Sequence, residues 1–289
     1  MRAGLFPGQG LDPPIVSAAL SDDHALLKRA NEVLGYDLAR RVEQVARRSR
    51  PILPTDLGQP AIFVAGIISF TDACERGEQL DYLAGHSLGE YTALVAGGGI
   101  RFEAGLKLVA ARGTLMKRAS ARGTGGMAAA LNLSLEDAES VSTESGVVLA
   151  NDNSPGQVVL SGPEESLSRA AVLVRELGGR SVRLPVNGAF HSNEMQSAAL
   201  ELAMVLDETE IRSPAIPVLS NVSAAPYRAP GEIRKLLVSQ LTGRVRFRQS
   251  VSWLVECGVT EFIDLGPGRI VGRLADATVR HVNEMRAHA

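Results

Sequence analysis

Short apolar runs alternate with longer stretches of helical periodicity along most of the chain. Ala3–Phe6 reads as a buried strand, stopped by Pro7-Gly8-Gln9-Gly10. Helical spacing follows from about Ile15 to Leu34, interrupted by Ser21-Asp22-Asp23, which can cap a second helix. Arg47–Pro54 is a basic, proline-bearing surface connection. Gln59-Pro60 then opens an apolar helix through about Cys74, with proline tolerated in its first turn. Leu80–Ala84 is the next apolar strand, followed by a helix over Tyr91–Ala96 and another from about Phe102 to Ser120. Strands alternating with helices predict an α/β fold with a mostly parallel sheet.

The pattern changes after Arg122-Gly123-Thr124-Gly125-Gly126. Met127–Leu131 reads as a strand and Leu133–Ser145 as a helix with Ser134 near its cap. Val147–Asn151 and Gln157–Ser161 are strands joined by the turn-rich Asp152-Asn153-Ser154-Pro155-Gly156. Pro163–Leu177 is a helix closed by Gly178-Gly179, and Arg180–Val186 is a last strand. This βαββαβ order is that of a ferredoxin-like unit. It predicts a small subdomain, 124–187, inserted into a larger one made of residues 1–123 and 188–289. The α/β pattern then resumes with a helix from about Ser192 to Thr209 and a strand around Ile216–Ser220. A helix over Ile233–Leu241 and a strand at Glu261–Leu265 follow, the strand entering Gly266-Pro267-Gly268. A cleft between two lobes is the expected place for a site.

With 289 residues, 45% of them hydrophobic and 21% charged, the chain has the composition of a soluble globular protein. A formal net charge of −2 gives no whole-molecule reason to expect nucleic acid or an anionic membrane as partner. Cys74 and Cys257 are far apart and lack metal-ligand spacing, so both read as reduced core thiols, and no metal is expected. The start, Met1–Phe6, is broken too early by Pro7-Gly8 for a signal peptide, and no apolar run approaches the ~20 residues that span a bilayer. The expected location is the cytoplasm.

Gly85-His86-Ser87-Leu88-Gly89-Glu90 carries the chemistry. It is a GxSxG core between an apolar strand and a helix, where small glycines let the backbone bend and expose the serine hydroxyl. The helix that starts there offers free N–H groups to a developing oxyanion. A serine needs a base. Of five histidines, His24, His281 and His288 read as solvated, and His86, inside the elbow, turns its side chain away from Ser87. His191, in Asn187-Gly188-Ala189-Phe190-His191-Ser192, is the best placed base, although a helix-start histidine beside a capping serine would look the same. Arg112 lies 25 residues (112 − 87) after the serine among apolar residues, and unaided it reads equally as a snorkelling side chain.

Phe6-Pro7-Gly8-Gln9-Gly10, Gln59-Pro60, the Gly85–Glu90 elbow, Arg112-Gly113-Thr114-Leu115-Met116, Gly188–Ser192, Ser220-Asn221-Val222 and Gly266-Pro267-Gly268 follow one another in a familiar order. In that order and spacing the whole chain resembles the malonyl-CoA:acyl carrier protein transacylase family. Its Ala-Phe-His-Ser form is more like the discrete, trans-acting acyltransferases of polyketide synthases. The resemblance implies an α/β-hydrolase-like core with an inserted ferredoxin-like lobe. It implies transfer of malonyl from CoA to the phosphopantetheine thiol of an acyl carrier protein through an acyl-serine, for polyketide or fatty acid biosynthesis. No cofactor is implied, because malonyl-CoA is a substrate and the carrier thiol the acceptor.

Roles follow from the same resemblance. Ser87 is the nucleophile, and His191 is first base and then acid. The backbone N–H groups of Leu88 and Gln9 form the oxyanion hole. No aspartate completes a triad; the position of Gln240 orients the histidine through a carbonyl. Arg112 clamps the malonyl carboxylate at two points, as an arginine can and a lysine cannot. Gln59, His86, Asn153 and Phe190 surround the substrate, and the size of Phe190 favours malonyl over methylmalonyl, a choice worth ~1–3 kcal/mol per methyl. A thioester hydrolase, or a transferase of another acyl group, is the alternative that would use the same Ser87 and His191. Arg244, Arg246 and Arg248 alternate; on an extended segment they would share a face and dock an acidic carrier, or simply form a solvated basic edge. Leu11-Asp12-Pro13-Pro14 departs from the family pattern, and Gly97-Gly98-Gly99 has no explanation at this level.

Overall fold

Every residue after the first in β1 (Arg2–Phe6) is buried, because the strand lies in the middle of a parallel sheet covered on both faces. The structure, a computed structural model, describes residues 1–20, 24–48, 51–121, 123, 125–186 and 188–288. The expected Ser21-Asp22-Asp23 cap therefore lies outside the described residues. So do Ser49 and Arg50 of the basic connection, Arg122, and residues 124 and 187 at the ends of the expected insert.

From β1 the chain runs through α1 (Pro13–Ala18), α2 (Ala25–Leu34), α3 (Leu38–Ala46) and α4 (Thr55–Glu75) to β2 (Tyr82–Gly85), α5 (Leu88–Ala96) and α6 (Phe102–Ser120). Next come β3 (Gly125–Leu131), α7 (Leu135–Ser145), β4 (Val148–Ser154), β5 (Gln157–Pro163), α8 (Glu164–Glu176) and β6 (Arg180–Arg183). A 3-10 turn at Asn193–Met195 leads into α9 (Gln196–Asp207), α10 (Pro230–Gln240), α11 (Phe247–Glu256), β7 (Glu261–Asp264) and α12 (Ile270–Ala287).

The first sheet has the order β2-β1-β7, all parallel. Ala3 and Leu5 pack against Phe247 and Val251 of α11 and Val271 of α12, whereas Phe6 joins the larger core that includes Phe63 of α4 and Tyr91 of α5. The second sheet has the order β4-β5-β3-β6, with every neighbour antiparallel. Its alternation is clean: Ala128 and Ala130 pack with Ala138 and Val141 of α7 and Ala170 of α8, while Met127 and Ala129 face the other way, toward the first lobe. The fold is thus mixed α/β, with one parallel and one separate antiparallel sheet.

Several elements differ from the sequence reading, each for a local reason. Helix α4 starts at Thr55, so Pro60 sits inside it, where it leaves the Asp56 carbonyl without its usual partner. Helices α3, α11 and α12 were not anticipated. The strand expected at Ile216–Ser220 is reduced to two isolated bridges, Val218 to Leu83 (parallel) and Leu219 to Pro226 (antiparallel), although Leu83 N–H still donates to Pro217 O at 2.9 Å. His24 is not a solvated helix residue: it caps α2, its Nδ1 accepting from Leu26 N–H at 3.1 Å. Cys74 is exposed and Cys257 half-buried, so neither is a core thiol. Helix α4 is in fact long and apolar enough to cross a bilayer, yet 67% of its apolar stretch is buried inside this fold. Gly97-Gly98-Gly99 closes α5: Gly98 takes φ 80°, Gly99 N–H donates to Leu94 O at 2.8 Å and Gly98 N–H to Val95 O at 3.0 Å.

Candidate active site

β2 ends at Gly85 and α5 begins at Leu88, so His86 and Ser87 make the turn between them. Ser87 takes φ 52° and ψ −102°, a strained backbone for a residue that carries a Cβ. The flanking glycines are required by close approach. A Cβ on Gly85 would overlap the backbone of Gly89, and one on Gly89 would overlap the Phe6 carbonyl of β1. Asn221 clasps the bend: its Oδ1 accepts from Ser87 N–H at 2.7 Å and its Nδ2 donates to Gly85 O at 2.6 Å.

His191 reaches the serine from the turn before α9, with φ 57°. Its Nε2 lies 2.8 Å from Ser87 Oγ, and its Nδ1 lies 2.7 Å from the main-chain carbonyl of Gln240. That carbonyl can only accept, so Nδ1 carries the proton and Nε2 is left to receive the serine's. Burial, and after it the positive charge of Arg112, push the imidazole pKa down to about 3. The ring is therefore neutral across the physiological range.

Arg112 projects from α6 and is wholly buried, head included, which removes the snorkelling reading. Its Nη1 donates to Gln59 Oε1 at 2.9 Å, and its Nη2 donates to Ser87 Oγ and Gln240 Oε1, each at 3.0 Å. Its Nε has no partner, and no carboxylate pairs with it among the described residues. The Tyr91 ring lies 5.0 Å from the guanidinium carbon. A buried cation held only by neutral oxygens is an expensive arrangement, and burial pulls its pKa down.

Behind the serine lies a second layer around Gln240, in which the parts played by the Gln240 side chain, Glu90 and Tyr227 were missed by sequence reasoning. Gln240 Nε2 donates to Ser87 O at 2.9 Å, to Asn221 Oδ1 at 3.3 Å, and to the carboxylate of Glu90. Tyr227 Oη donates to the same carboxylate. Burial pushes Glu90 up to about 7, against the pull of these hydrogen bonds and of Arg112. The available signals were an acid inside an otherwise apolar helix start and the lone asparagine of Ser220-Asn221-Val222.

Ser87 and His191 open onto a cleft of about 230 Å³ between the two sheets. Gln9, Leu11 and His86 line it from the first lobe, Met127 and Asn153 from the second, with Phe190 beside His191. Leu11, from the Leu11–Pro14 departure, is thus a wall of the cleft, and Pro13 begins α1. The amides of Leu88 and Gln9 have no hydrogen-bond partner among the described residues. His86 is turned to the second lobe, its Nε2 2.7 Å from Asn153 Oδ1. Gln59, besides holding Arg112, donates to Met116 Sδ at 3.2 Å and Gln9 Oε1 at 3.4 Å.

The expected arginine stripe does not exist as one extended face. Val245 bridges to Asn151, Arg246 precedes α11, and Arg248 falls in its first turn. Arg244 pairs with Glu139 at 2.8 Å, and Arg248 grips the buried Asp152 at 2.8 and 2.9 Å. Two of the three thus tie the lobes together.

A match to the family described as acyl transferase domain extends over residues 6–289. The chain is 37% identical over 290 residues to the malonyl CoA-acyl carrier protein transacylase of Bacillus subtilis, covering 97% of this chain and 91% of that one. It is 38% identical over 277 residues to the polyketide biosynthesis protein ThaF of Burkholderia thailandensis, covering 94% of this chain but only 24% of that longer protein. Among solved structures, an acyl carrier protein S-malonyltransferase from Vibrio cholerae matches with a TM-score of 0.88 at 37% identity, covering 96% of this chain and 94% of that one. A malonyl-transacylase solved in complex with its type II polyketide acyl-carrier protein matches with a TM-score of 0.87 at 34% identity, covering 96% and 93%.

Proposed function

The chain belongs to the acyl transferase domain family, and from that membership we propose that it moves a malonyl group from CoA to the phosphopantetheine thiol of an acyl carrier protein. One observation carries the choice of acyl group. Arg112 is a buried cation bonded only to neutral oxygens, 3.0 Å from Ser87 Oγ. A malonyl thioester presenting its carbonyl to Ser87 brings a carboxylate within reach of that planar fork; an acetyl thioester brings none.

The reaction runs on protein groups alone. Ser87 Oγ attacks the thioester carbonyl while His191 Nε2 takes the serine proton. The oxyanion lies against the Leu88 and Gln9 amides, whose lack of other partners supports this role. Collapse forms the malonyl-serine ester and expels the CoA thiolate, which takes the proton from His191. The carrier thiol then gives its proton to His191 and attacks the ester, and Ser87 Oγ leaves with that proton. With the malonyl carboxylate on Arg112, the charge that depresses His191 is compensated, so the base strengthens when the right substrate is bound.

The remaining assignments follow the same reading. Residues 1–123 and 188–289 form an α/β-hydrolase-like core, supported by the serine elbow at the end of a parallel strand. Residues 124–187 form a ferredoxin-like subdomain, supported by the strand order β4-β5-β3-β6 and the two helices on one face. Phe190 and Met116 bound the acyl end of the cleft; His86 and Asn153 border the thioester arm. Arg246, exposed and without a carboxylate partner among the described residues, is the one member of the arginine set left to meet an acidic carrier. A biosynthetic role in the cytoplasm, in polyketide or fatty acid assembly, fits the relatives.

Intact-mass measurement after incubation with malonyl-, methylmalonyl- and acetyl-CoA tests the reading. A malonyl adduct is expected, absent in Ser87→Ala and lost or replaced by acetyl in Arg112→Ala. Equal labelling of the unaltered protein by acetyl-CoA would defeat the clamp. An adduct that passes to water as fast as to holo-carrier would make the protein a hydrolase.

A further inference from the structure

Glu90 is fully buried on α5, one turn beyond the nucleophile, and the reaction above gives it nothing to do. Its carboxylate accepts from Tyr227 Oη and from Gln240 Nε2. The Gln240 carboxamide is committed at both ends: Nε2 also donates to Ser87 O at 2.9 Å, and Oε1 accepts from Arg112 Nη2 at 3.0 Å. It is a dipole with an anion at its nitrogen and a cation at its oxygen. A carboxamide has no preferred flip of its own; its partners decide it. Turned over, Gln240 would set its oxygen against the Glu90 carboxylate and the Ser87 carbonyl, and its N–H groups against the guanidinium.

We propose that Glu90 is a positioning residue of the acyl clamp: it holds the Gln240 carboxamide in the one orientation that keeps the Arg112 fork beside Ser87. The proposal rests on the reading of Arg112 as the receiver of the acyl carboxylate. Glu90 suits the task because an ionised carboxylate only accepts, so it cannot stabilise the flipped amide. A glutamine in its place could donate to Gln240 Oε1 and would tolerate either orientation. One effect opposes this: a negative charge near Arg112 weakens the pull on an incoming carboxylate. Orientation dominates, because Gln240 stands between the two charges, whereas a misplacement of about 1 Å in a positioning group can cost on the order of a hundredfold. The groups facing Glu90 are Tyr227, Gln240 from α10, Asn221, and Arg112 from α6, with Tyr91 next to it in the chain. With its pKa raised to about 7, its ionisation can be varied in an ordinary assay.

The test measures Ser87 acylation at pH 8.5 by malonyl-CoA and by acetyl-CoA, with a fluorophosphonate as a probe of the Ser87–His191 pair. In Glu90→Gln the malonyl-to-acetyl ratio of kcat/KM should fall at least tenfold, mainly through the KM for malonyl-CoA, with probe labelling within threefold of the unaltered protein. Tyr227→Phe should move the ratio the same way by less. Between pH 8.5 and 5.5 the ratio should fall in the unaltered protein and stay flat in Glu90→Gln. A folded Glu90→Gln with an unchanged or improved ratio overturns the proposal, as does a parallel loss of malonyl, acetyl and probe reactivity. If Glu90→Gln does not fold, Tyr227→Phe and the pH profile of the unaltered protein decide, and a ratio constant in both overturns it. An Arg112→Ala protein that keeps the malonyl preference would instead refute the clamp itself, whatever Glu90 does.

Discussion

Asn221 and Ser87 are joined by a short hydrogen bond, Oδ1 accepting from the serine N–H at 2.7 Å, while the same amide reaches back to Gly85 O at 2.6 Å. The elbow therefore does not rest on its glycines alone. Ser87 sits at φ 52°, a conformation that costs on the order of 1–3 kcal/mol and persists only when its surroundings impose it. Asn221→Ala would leave two buried backbone groups without partners, at about 1–3 kcal/mol each. The expected result is a fall in melting temperature of roughly 5 °C or more for a chain of this size. Labelling of Ser87 by a fluorophosphonate should slow as well. Unchanged labelling in a destabilised protein would mean that the elbow holds its shape without the clasp.

How much of this was legible beforehand depends on whether the cause was local. The elbow could be read because two glycines and apolar flanks are a local requirement of the bend. The antiparallel lobe could be read because its alternation of small apolar residues spans whole strands. Arg112 was visible as a residue but not as an unpaired cation, since pairing depends on side chains from α4 and α10. Glu90 and Tyr227 touch across 137 residues and leave no mark at either end. Helix α11 was missed because alternating arginines masked Phe247, Val251 and Leu254, whose spacing is helical.

The proton balance of the dyad gives a second prediction. His191 is held at about 3 by burial first and Arg112 second. Acylation by acetyl-CoA, which does not engage the clamp, should therefore show no fall between pH 8 and pH 5. A free histidine base would lose activity near pH 6.5. In Arg112→Gln the second-largest cause is gone while burial and the weaker influence of His86 remain, so the acid limb should move upward. A limb near 6.5 in the unaltered protein would contradict the burial of the ring as a catalytic feature.

Arg248 and Asp152 join the two lobes. The carboxylate is 2% exposed and receives two donors, at 2.8 and 2.9 Å. Its neighbour Asn153 meets His86, the residue before Ser87. Removing one partner of such a buried pair typically costs about 3–5 kcal/mol, because the other charge stays behind. Arg248 is itself about a quarter exposed, which places the expected loss for Arg248→Ala toward about 2–3 kcal/mol. The variant should also raise the KM for acyl-CoA, as the Asn153 side of the cleft loosens, while fluorophosphonate labelling stays near normal. Stability and KM both unchanged would show that the other cross-links, Val245 to Asn151, Arg244 to Glu139 and His86 to Asn153, hold the lobes without Arg248.

Glu90 should make the protein less stable at the pH where its carboxylate is ionised. Its carboxyl has a pKa near 4.5 when the chain is unfolded and about 7 when folded, burial being the main cause. Below pH 4.5 both states hold the proton and burial exacts no charge penalty. As pH rises through 7 the folded state must bury an ionised carboxylate, and stability is lost relative to a neutral side chain. The shift corresponds to about 3 kcal/mol at most. Denaturant unfolding of Glu90→Gln against the unaltered protein should therefore show the variant more stable at pH 8.5, with the difference shrinking toward zero near pH 4.5. A variant less stable at every pH would mean that the hydrogen bonds to Tyr227 and Gln240 outweigh the desolvation of the charge.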